Sequence, residues 1–170
     1  MDELRAAREL IWRTPNSVEK IALIENAIRI ADSINNLEQA YDLRSDLISA
    51  CTEYGQFLKA LVAFSWCLAK IDDDPEHFPF DYNGIWDYRA LLCRAAAFDQ
   101  VSMERLKSLL ADYERRMAEI NASERNFHEI RMRSALILRD KEMALAARDG
   151  IKRTKGDSHS ECDACVQNSL

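Results

Sequence analysis

The sequence contains only four glycines and three prolines among its 170 residues. Tight β-turns depend on these two residues, so a chain with so few of them is unsuited to a sandwich or barrel of short strands. Alanine, leucine, glutamate and arginine, which favour helices, are abundant instead. The sequence therefore predicts an all-α protein whose helices are joined by short connections.

Apolar residues recur at helical spacing along most of the chain. After Pro15, Asn16 and Glu19 form a capping-box pattern, with Asn16 as the predicted N-cap. The stripe that follows has the period of one helix face, and it consists of Ile21, Ile24, Ile28 and Ala31. The same reading predicts seven or eight helices, over 2–13, 16–34, 37–54, 57–71, 84–98, 102–120, 124–138 and 140–152.

The segment 57–71, FLKALVAFSWCLAKI, is apolar on nearly all sides. A helix of this kind is typical of the centre of a domain, so we expect it to be the most buried one. Leu61, Phe64 and Leu68 are its predicted core residues. Gly55 is expected to end the preceding helix, because glycine adopts the left-handed conformation that follows many helices.

The formal net charge is −6. Binding to nucleic acid or to an anionic membrane needs a basic surface, so neither is expected as a main partner. No apolar run reaches the roughly 18 residues of a transmembrane helix. The start, MDELRAARELIW, lacks the basic region and apolar core of a signal peptide. We therefore expect a cytoplasmic protein whose five cysteines are mostly reduced.

One segment carries a repeat pattern. In LISACTEYGQFLKALVAFSWCLAKIDDDP, the positions that a tetratricopeptide unit gives to Leu, Gly, an aromatic, Ala and Phe are occupied by Leu47, Gly55, Phe57, Ala60 and Phe64. The segment resembles that unit, although Cys51 and Ile48 replace its usual tyrosine and small residue. A series of such units implies a right-handed stack of antiparallel helical hairpins, an α-solenoid.

Taken as a whole, the chain resembles a group of bacterial tetratricopeptide-like proteins. The resemblance rests on ALVAFSWCLAKIDDDPEHF, on IWDYRALL, on the hairpin before RDKEMA and on the terminal CDAC. It covers most of the chain from about Leu37 and implies one helical-repeat domain over 1–152, followed by a polar tail over 153–170. The first two helices, over 1–35, match no repeat and are expected to form an N-terminal cap. The resemblance also implies an adaptor that binds a protein or peptide in the concave groove of the stack, without a catalytic residue.

Five residues are candidates for partner binding, because arginine forks suit carboxylates and aromatic side chains are common at interfaces. The alternative is that the aromatic side chains pack in the core and the arginines form ordinary helix ion pairs. The candidates are Trp86, Tyr88, Arg89, Arg94 and Arg131.

Some tetratricopeptide proteins bind a chaperone's carboxylate through a clamp of Lys and Asn. The resemblance places Asp42, Ser45 and Ser49 at the positions of that clamp. A carboxylate clamp of this type is therefore disfavoured.

The tail holds His159, Cys162 and Cys165 at H-x-x-C-x-x-C spacing. Two thiolates at this spacing can bind one tetrahedral zinc ion, with His159 as a third ligand and a fourth from the body or from a second chain. A disulfide or redox pair and an inert tail remain alternatives. With a zinc or redox site, the protein would be a metal- or redox-responsive regulator, and a shared ligand would make it a dimer.

No catalytic motif occurs in the sequence. The four glycines are too scattered for a phosphate-binding loop, and neither His77 nor His128 has a nucleophile nearby in sequence. Asp72–Asp74 are consecutive and precede a proline, which is typical of a solvated turn and not of a calcium loop. The protein is therefore not predicted to be an enzyme.

Overall fold

The computed structural model describes residues 2–80, 82–95, 97–98 and 101–157. This part of the chain is all-α and contains no strand, which confirms the predicted fold class. None of its helices is long and apolar enough to cross a membrane. The eight helices are α1 Asp2–Arg13, α2 Val18–Ser33, α3 Leu37–Glu53, α4 Phe57–Asp73, α5 Tyr82–Ala95, α6 Met103–Glu119, α7 Arg125–Leu138 and α8 Lys141–Arg153.

Short polar side chains cap the start of four of the described helices. Asn36, Ser102 and Asp140 each accept a hydrogen bond from the backbone N–H three residues later. At α2 the N-cap is Ser17, whose Oγ lies 3.1 Å from the Lys20 nitrogen, and not Asn16 as predicted. The side chain of Asn16 instead donates to Glu53 of α3.

Gly55 ends α3 as predicted. Its φ is +72°, in the left-handed region that other residues adopt only with strain. The next amide, that of Gln56, donates to the Cys51 carbonyl at 2.8 Å, which closes the helix end in a Schellman motif. The chain can therefore reverse direction between α3 and α4 over very few residues.

The chain divides into two compact units. Unit 1 covers Met1–Leu91 and unit 2 begins at Leu92, inside α5. The predicted single domain over 1–152 stays a prediction, because the compactness of each unit does not determine whether the two unfold together.

Unit 1 places alternate helices beside each other. Arg8 of α1 lies 3.7 Å from Asp42 of α3, and Ser45 of α3 donates to Asp87 of α5 at 2.7 Å. A 2.7 Å ion pair between Lys59 and Glu25 joins α4 to α2. Polar side chains thus link α1 to α3 and α3 to α5, while a separate ion pair links α2 to α4.

The core of unit 1 uses the predicted stripes. The predicted residues of α2 are all buried, and the Phe64 ring lies 4.6 Å from that of Tyr88. However, the prediction that α4 is the most buried helix is wrong, because α3 buries more of its residues. Leu61 and Leu68 are only half-buried, and Leu58 and Val62 are exposed by 54% and 72%. One face of α4 points to solvent despite its apolar composition.

Unit 2 consists mainly of α6, α7 and α8, in which consecutive helices pack against each other. Tyr113 and Ile130 are fully buried at its centre. Helix α8 packs on α7, and a Cβ atom built on Gly150 would lie 2.4 Å from the imidazole of His128. The absence of a side chain on Gly150 makes room for this ring.

Candidate functional site

The best candidate site is a polar pocket in unit 1, which we call the acidic pocket. Its volume is about 380 Å³, and it lies where α1, α3 and α5 meet. It is lined by Arg8, Asp42, Ser45, Asp46, Ser49, Trp86 and Asp87.

The polar stripe of α3 supplies most of the pocket. Asp42, Ser45, Asp46 and Ser49 follow the spacing of one helix face. The opposite face of α3 carries the buried apolar residues, so packing of the core turns this stripe toward the pocket. Its position beside α1 and α5 allows both helices to contribute side chains.

Hydrogen bonds and an ion pair fix the walls of the acidic pocket. The Ser45 hydroxyl donates to Oδ2 of Asp87 at 2.7 Å, which orients that carboxylate. Arg8 donates to Gln39 and lies 3.7 Å from Oδ2 of Asp42. The pocket is thus positioned by side chains from three helices.

The charge of the pocket is negative, because its lining includes three aspartates and only one arginine. Asp46 reaches solvent, but the surrounding walls desolvate its carboxylate and so raise its pKa. The charge of Asp42 raises this pKa further, whereas those of Arg8 and Lys20 lower it. A cation entering the pocket would relieve this unfavourable environment.

The acidic pocket continues into a longer groove. A neighbouring pocket of about 360 Å³ shares Arg8, Asp46 and Ser49 with it, and extends past Trp12 and Glu53. The groove therefore carries four acidic side chains, from Asp42, Asp46, Asp87 and Glu53, and two basic ones, from Arg8 and Lys20.

Of the predicted binding residues of α5, only Trp86 lines the acidic pocket. The guanidinium of Arg89 lies 5.1 Å from the centre of the Trp86 ring system. Tyr88 and Arg89 are only 1% and 3% exposed. Tyr88 is two residues from Trp86, or about 200° around the helix, so it points into the core against Phe64. These two side chains are too buried to form a binding surface.

The other two predicted residues, Arg94 and Arg131, belong to unit 2. Arg94 is exposed. Arg131 forms a 2.7 Å ion pair with Glu114 and lies over the Phe127 ring at 5.2 Å. Arg131 thus links α7 to α6 through an ion pair, which was the alternative to a role in partner binding. A groove that combines Trp86 with these arginines stays a prediction.

Of the residues that line the acidic pocket, only Trp86 was proposed for binding from the sequence. Asp42, Ser45 and Ser49 were considered only as positions that disfavour a carboxylate clamp, and Arg8, Asp46 and Asp87 were missed altogether. The signal for Asp46 was present, since it belongs to the same polar stripe as Asp42, Ser45 and Ser49. Arg8 and Asp87 lie far from α3 in sequence, and only the lateral placement of α1 and α5 brings them there.

The predicted tail cluster, His159, Cys162 and Cys165, lies outside the described residues. The residues just before it fold back onto the start of α7. Asp157 accepts hydrogen bonds from the Ser123 amide and, at 3.2 Å, from the Asn126 side chain. Arg125 also donates to the Ile151 carbonyl at 3.2 Å, near the end of α8. Polar contacts therefore hold the chain up to Asp157.

Zinc binding by the tail stays a prediction with a direct test. Protein purified without added metal is expected to contain near-stoichiometric zinc by elemental analysis, and the variant Cys162→Ser/Cys165→Ser should lose it and be cut faster in the tail by protease. Sub-stoichiometric zinc together with unchanged proteolysis would show that the cysteines are neither a metal site nor a staple.

Within the part of the chain that the structure describes, no group of three or more His, Cys, Asp or Glu side chains could hold a metal ion. The three aspartates of the acidic pocket thus do not form a metal site. Comparison of the chain with protein-family models, curated proteins and solved structures finds no match in any of the three.

Proposed function

We propose that the protein is a cytoplasmic helical-hairpin adaptor, and that the acidic pocket of unit 1 binds a lysine- or arginine-rich segment of a partner protein. The observation that carries the proposal is the convergence of Asp42, Asp46 and Asp87 with Trp86 in one groove. Carboxylates attract the cationic end of such a side chain, and an indole ring packs against its stem.

The arrangement of unit 1 supports the hairpin-stack interpretation. In a stack of antiparallel hairpins, alternate helices lie side by side and line one surface. The contacts from α1 to α3 and from α3 to α5, with a separate contact from α2 to α4, follow that scheme. The groove then corresponds to the inner surface on which helical-repeat proteins bind peptides.

The same reasoning argues against an anionic partner at this site. An incoming carboxylate or phosphate would meet three aspartates and only one arginine, which is itself engaged by Gln39 and Asp42. Like charges at such short range oppose binding. The proposed partner is therefore the opposite of the carboxylate that the tetratricopeptide clamp binds.

The test is binding of a short fluorescent oligolysine peptide to the full chain, measured by anisotropy. We expect Asp46→Asn to raise the dissociation constant about three- to tenfold, because it removes one partly desolvated charge from the pocket. Asp73→Asn is the matched control, since it removes the same charge from an exposed site on α4. The two variants separate the pocket from the general attraction of an acidic protein for a cation.

Asp46→Asn has a second expected result. A carboxyl group whose pKa is raised in the folded state binds its proton more tightly there than in the unfolded chain, so its ionised form opposes folding at neutral pH. We therefore expect a small rise in Tm at pH 7 that disappears on acidification through the raised pKa.

Equal weakening of peptide binding by Asp46→Asn and Asp73→Asn would contradict the proposed site.

A further inference from the structure

A second surface is formed by one exposed stripe of α1. Its residues, Glu3, Ala6, Leu10 and Arg13, follow each other at steps of three, four and three. All four are exposed, and Leu10 exposes 51% of its surface. This spacing is that of the seam between two paired helices, and Ala6 and Leu10 are its two apolar members. We call these four residues the α1 stripe.

Packing within unit 1 leaves the α1 stripe exposed, although Arg13 also lines a cavity with Ile34 and Glu38. Helix α1 packs on α2 and buries Leu4 and Ile11, which lie on the other side of the helix. Arg13 has only a weak contact with Glu9 at 4.0 Å, and no ion pair to Glu3 is found among the described residues. Leu10 is exposed to water, and the charged side chains of Glu3 and Arg13 are available to flank a partner helix.

The order of side chains along the stripe is self-complementary under a twofold axis. When two copies of α1 lie antiparallel with their centres aligned, Glu3 of one copy falls opposite Arg13 of the other, and Ala6 falls opposite Leu10. Each acid then meets a base, and each large apolar side chain meets a small one that leaves room for it. A parallel pair would instead place Glu3 against Glu3 and Arg13 against Arg13.

We propose that the α1 stripe is a self-association surface, on which α1 of a second copy of this chain packs antiparallel. An interface of this kind is isologous, which is the usual symmetry of protein dimers. Two 12-residue helices are each about 18 Å long, so they bury less area than a permanent dimer needs. The dimer is accordingly weak and forms only at high protein concentration.

The α1 stripe is independent of the acidic pocket, because Arg8 leaves α1 on a different side. Self-association therefore does not require the proposed function, and each can fail without the other. Trp12, which is 88% exposed, lies beside the pocket and outside the stripe.

The experiment is sedimentation equilibrium of the full chain over a wide concentration range. We expect a monomer–dimer equilibrium that Leu10→Lys abolishes and that added salt weakens. Glu3→Arg alone and Arg13→Glu alone each turn both cross-pairs of the dimer into like charges, so each should raise the dissociation constant at least tenfold. Circular dichroism verifies that each variant keeps its helices.

Charge exchange gives the decisive comparison. The double variant Glu3→Arg/Arg13→Glu restores both pairs in an antiparallel dimer, so it should associate like the original chain. An equimolar mixture of the two single variants should also form dimers, although neither variant does so alone. The matched control is Leu136→Lys, which alters an equally prominent apolar side chain on α7, exposed by 67%.

The outcomes that overturn the proposal are equally definite. A chain that stays monomeric at the highest soluble concentration has no such surface. Association that survives Leu10→Lys but is lost in Leu136→Lys places the interface elsewhere. Failure of the double variant to recover association, while both single variants have lost it, excludes the antiparallel pairing.

Discussion

Replacement of Phe64 by alanine is expected to lower the free energy of unfolding by about 3–5 kcal/mol. Phe64 is only 1% exposed and packs against the ring of Tyr88. Its truncation removes apolar burial and leaves a cavity between α4 and α5 that the surrounding helices can fill only in part. Urea denaturation followed by circular dichroism measures the loss.

The matched control for this prediction is Val62→Ala on the same helix. Val62 is 72% exposed, so its truncation should change stability by less than about 0.5 kcal/mol. Equal effects of the two substitutions would mean that α4 does not bury the face that carries Phe64. An intermediate effect is expected for Leu61→Ala, since Leu61 is half-buried.

The comparison of α4 with α2 shows what helical periodicity can predict. In α2 the apolar residues form one stripe with polar residues around it, so the buried face follows from the sequence, and Ile21 and Ile24 are indeed buried. In α4 the apolar residues surround the helix, and composition alone cannot tell which of them meets a neighbour. Leu58 and Val62 face solvent because the packing of unit 1 leaves that side of α4 open.

The start of α2 shows that the sequence cannot always identify the N-cap of a helix. Asn16 and Ser17 are adjacent and both are good N-cap residues, so the sequence does not decide between them. The backbone of Ser17 is extended, with φ −168° and ψ 167°, and its hydroxyl reaches the Lys20 amide. Asn16 is then free to contact α3, a long-range interaction that no local pattern predicts.

In the candidate site, too, local patterns could be predicted from the sequence and long-range contacts could not. The polar stripe of α3 is a local pattern, and Trp86 could be selected from its helix by residue type. Tyr88 was grouped with Trp86 because the two are close in sequence, but they point about 200° apart. Arg8 and Asp87 become part of the acidic pocket only through the packing of α1 and α5 beside α3, which is a property of the fold.

A second effect on stability is expected from Gly150→Ala, which should lower the free energy of unfolding by about 1 kcal/mol, because the new methyl group displaces the His128 ring from its packing. The added Cβ would lie 2.4–2.5 Å from three atoms of the His128 ring, well inside van der Waals contact. Either the ring or α8 must move. Alanine favours a helix more than glycine does, so a loss of stability in Gly150→Ala would have to come from the contact with His128.

His128→Ala provides the test of that mechanism. Without the imidazole ring there is room for the new methyl group, so in this background Gly150→Ala should stabilise the protein by up to about 1 kcal/mol, as the helix propensities require. A reversal of sign between the two backgrounds is a direct measure of coupling between positions 128 and 150. The same loss in both backgrounds would show that α7 and α8 do not approach each other through this pair.

The pKa of His128 distinguishes the two ways of relieving the clash. Burial lowers this pKa in the original chain, and the nearby charge of Arg131 lowers it further. If the ring swings out to water in Gly150→Ala, its pKa should rise toward the ordinary value, as NMR titration of the imidazole would detect. If α8 moves instead, the ring keeps its surroundings on α7, and the interface between α7 and α8 loosens while the pKa changes little. Because stiff, close-packed helices resist displacement more than one half-buried side chain does, we expect the ring to move and the pKa to rise.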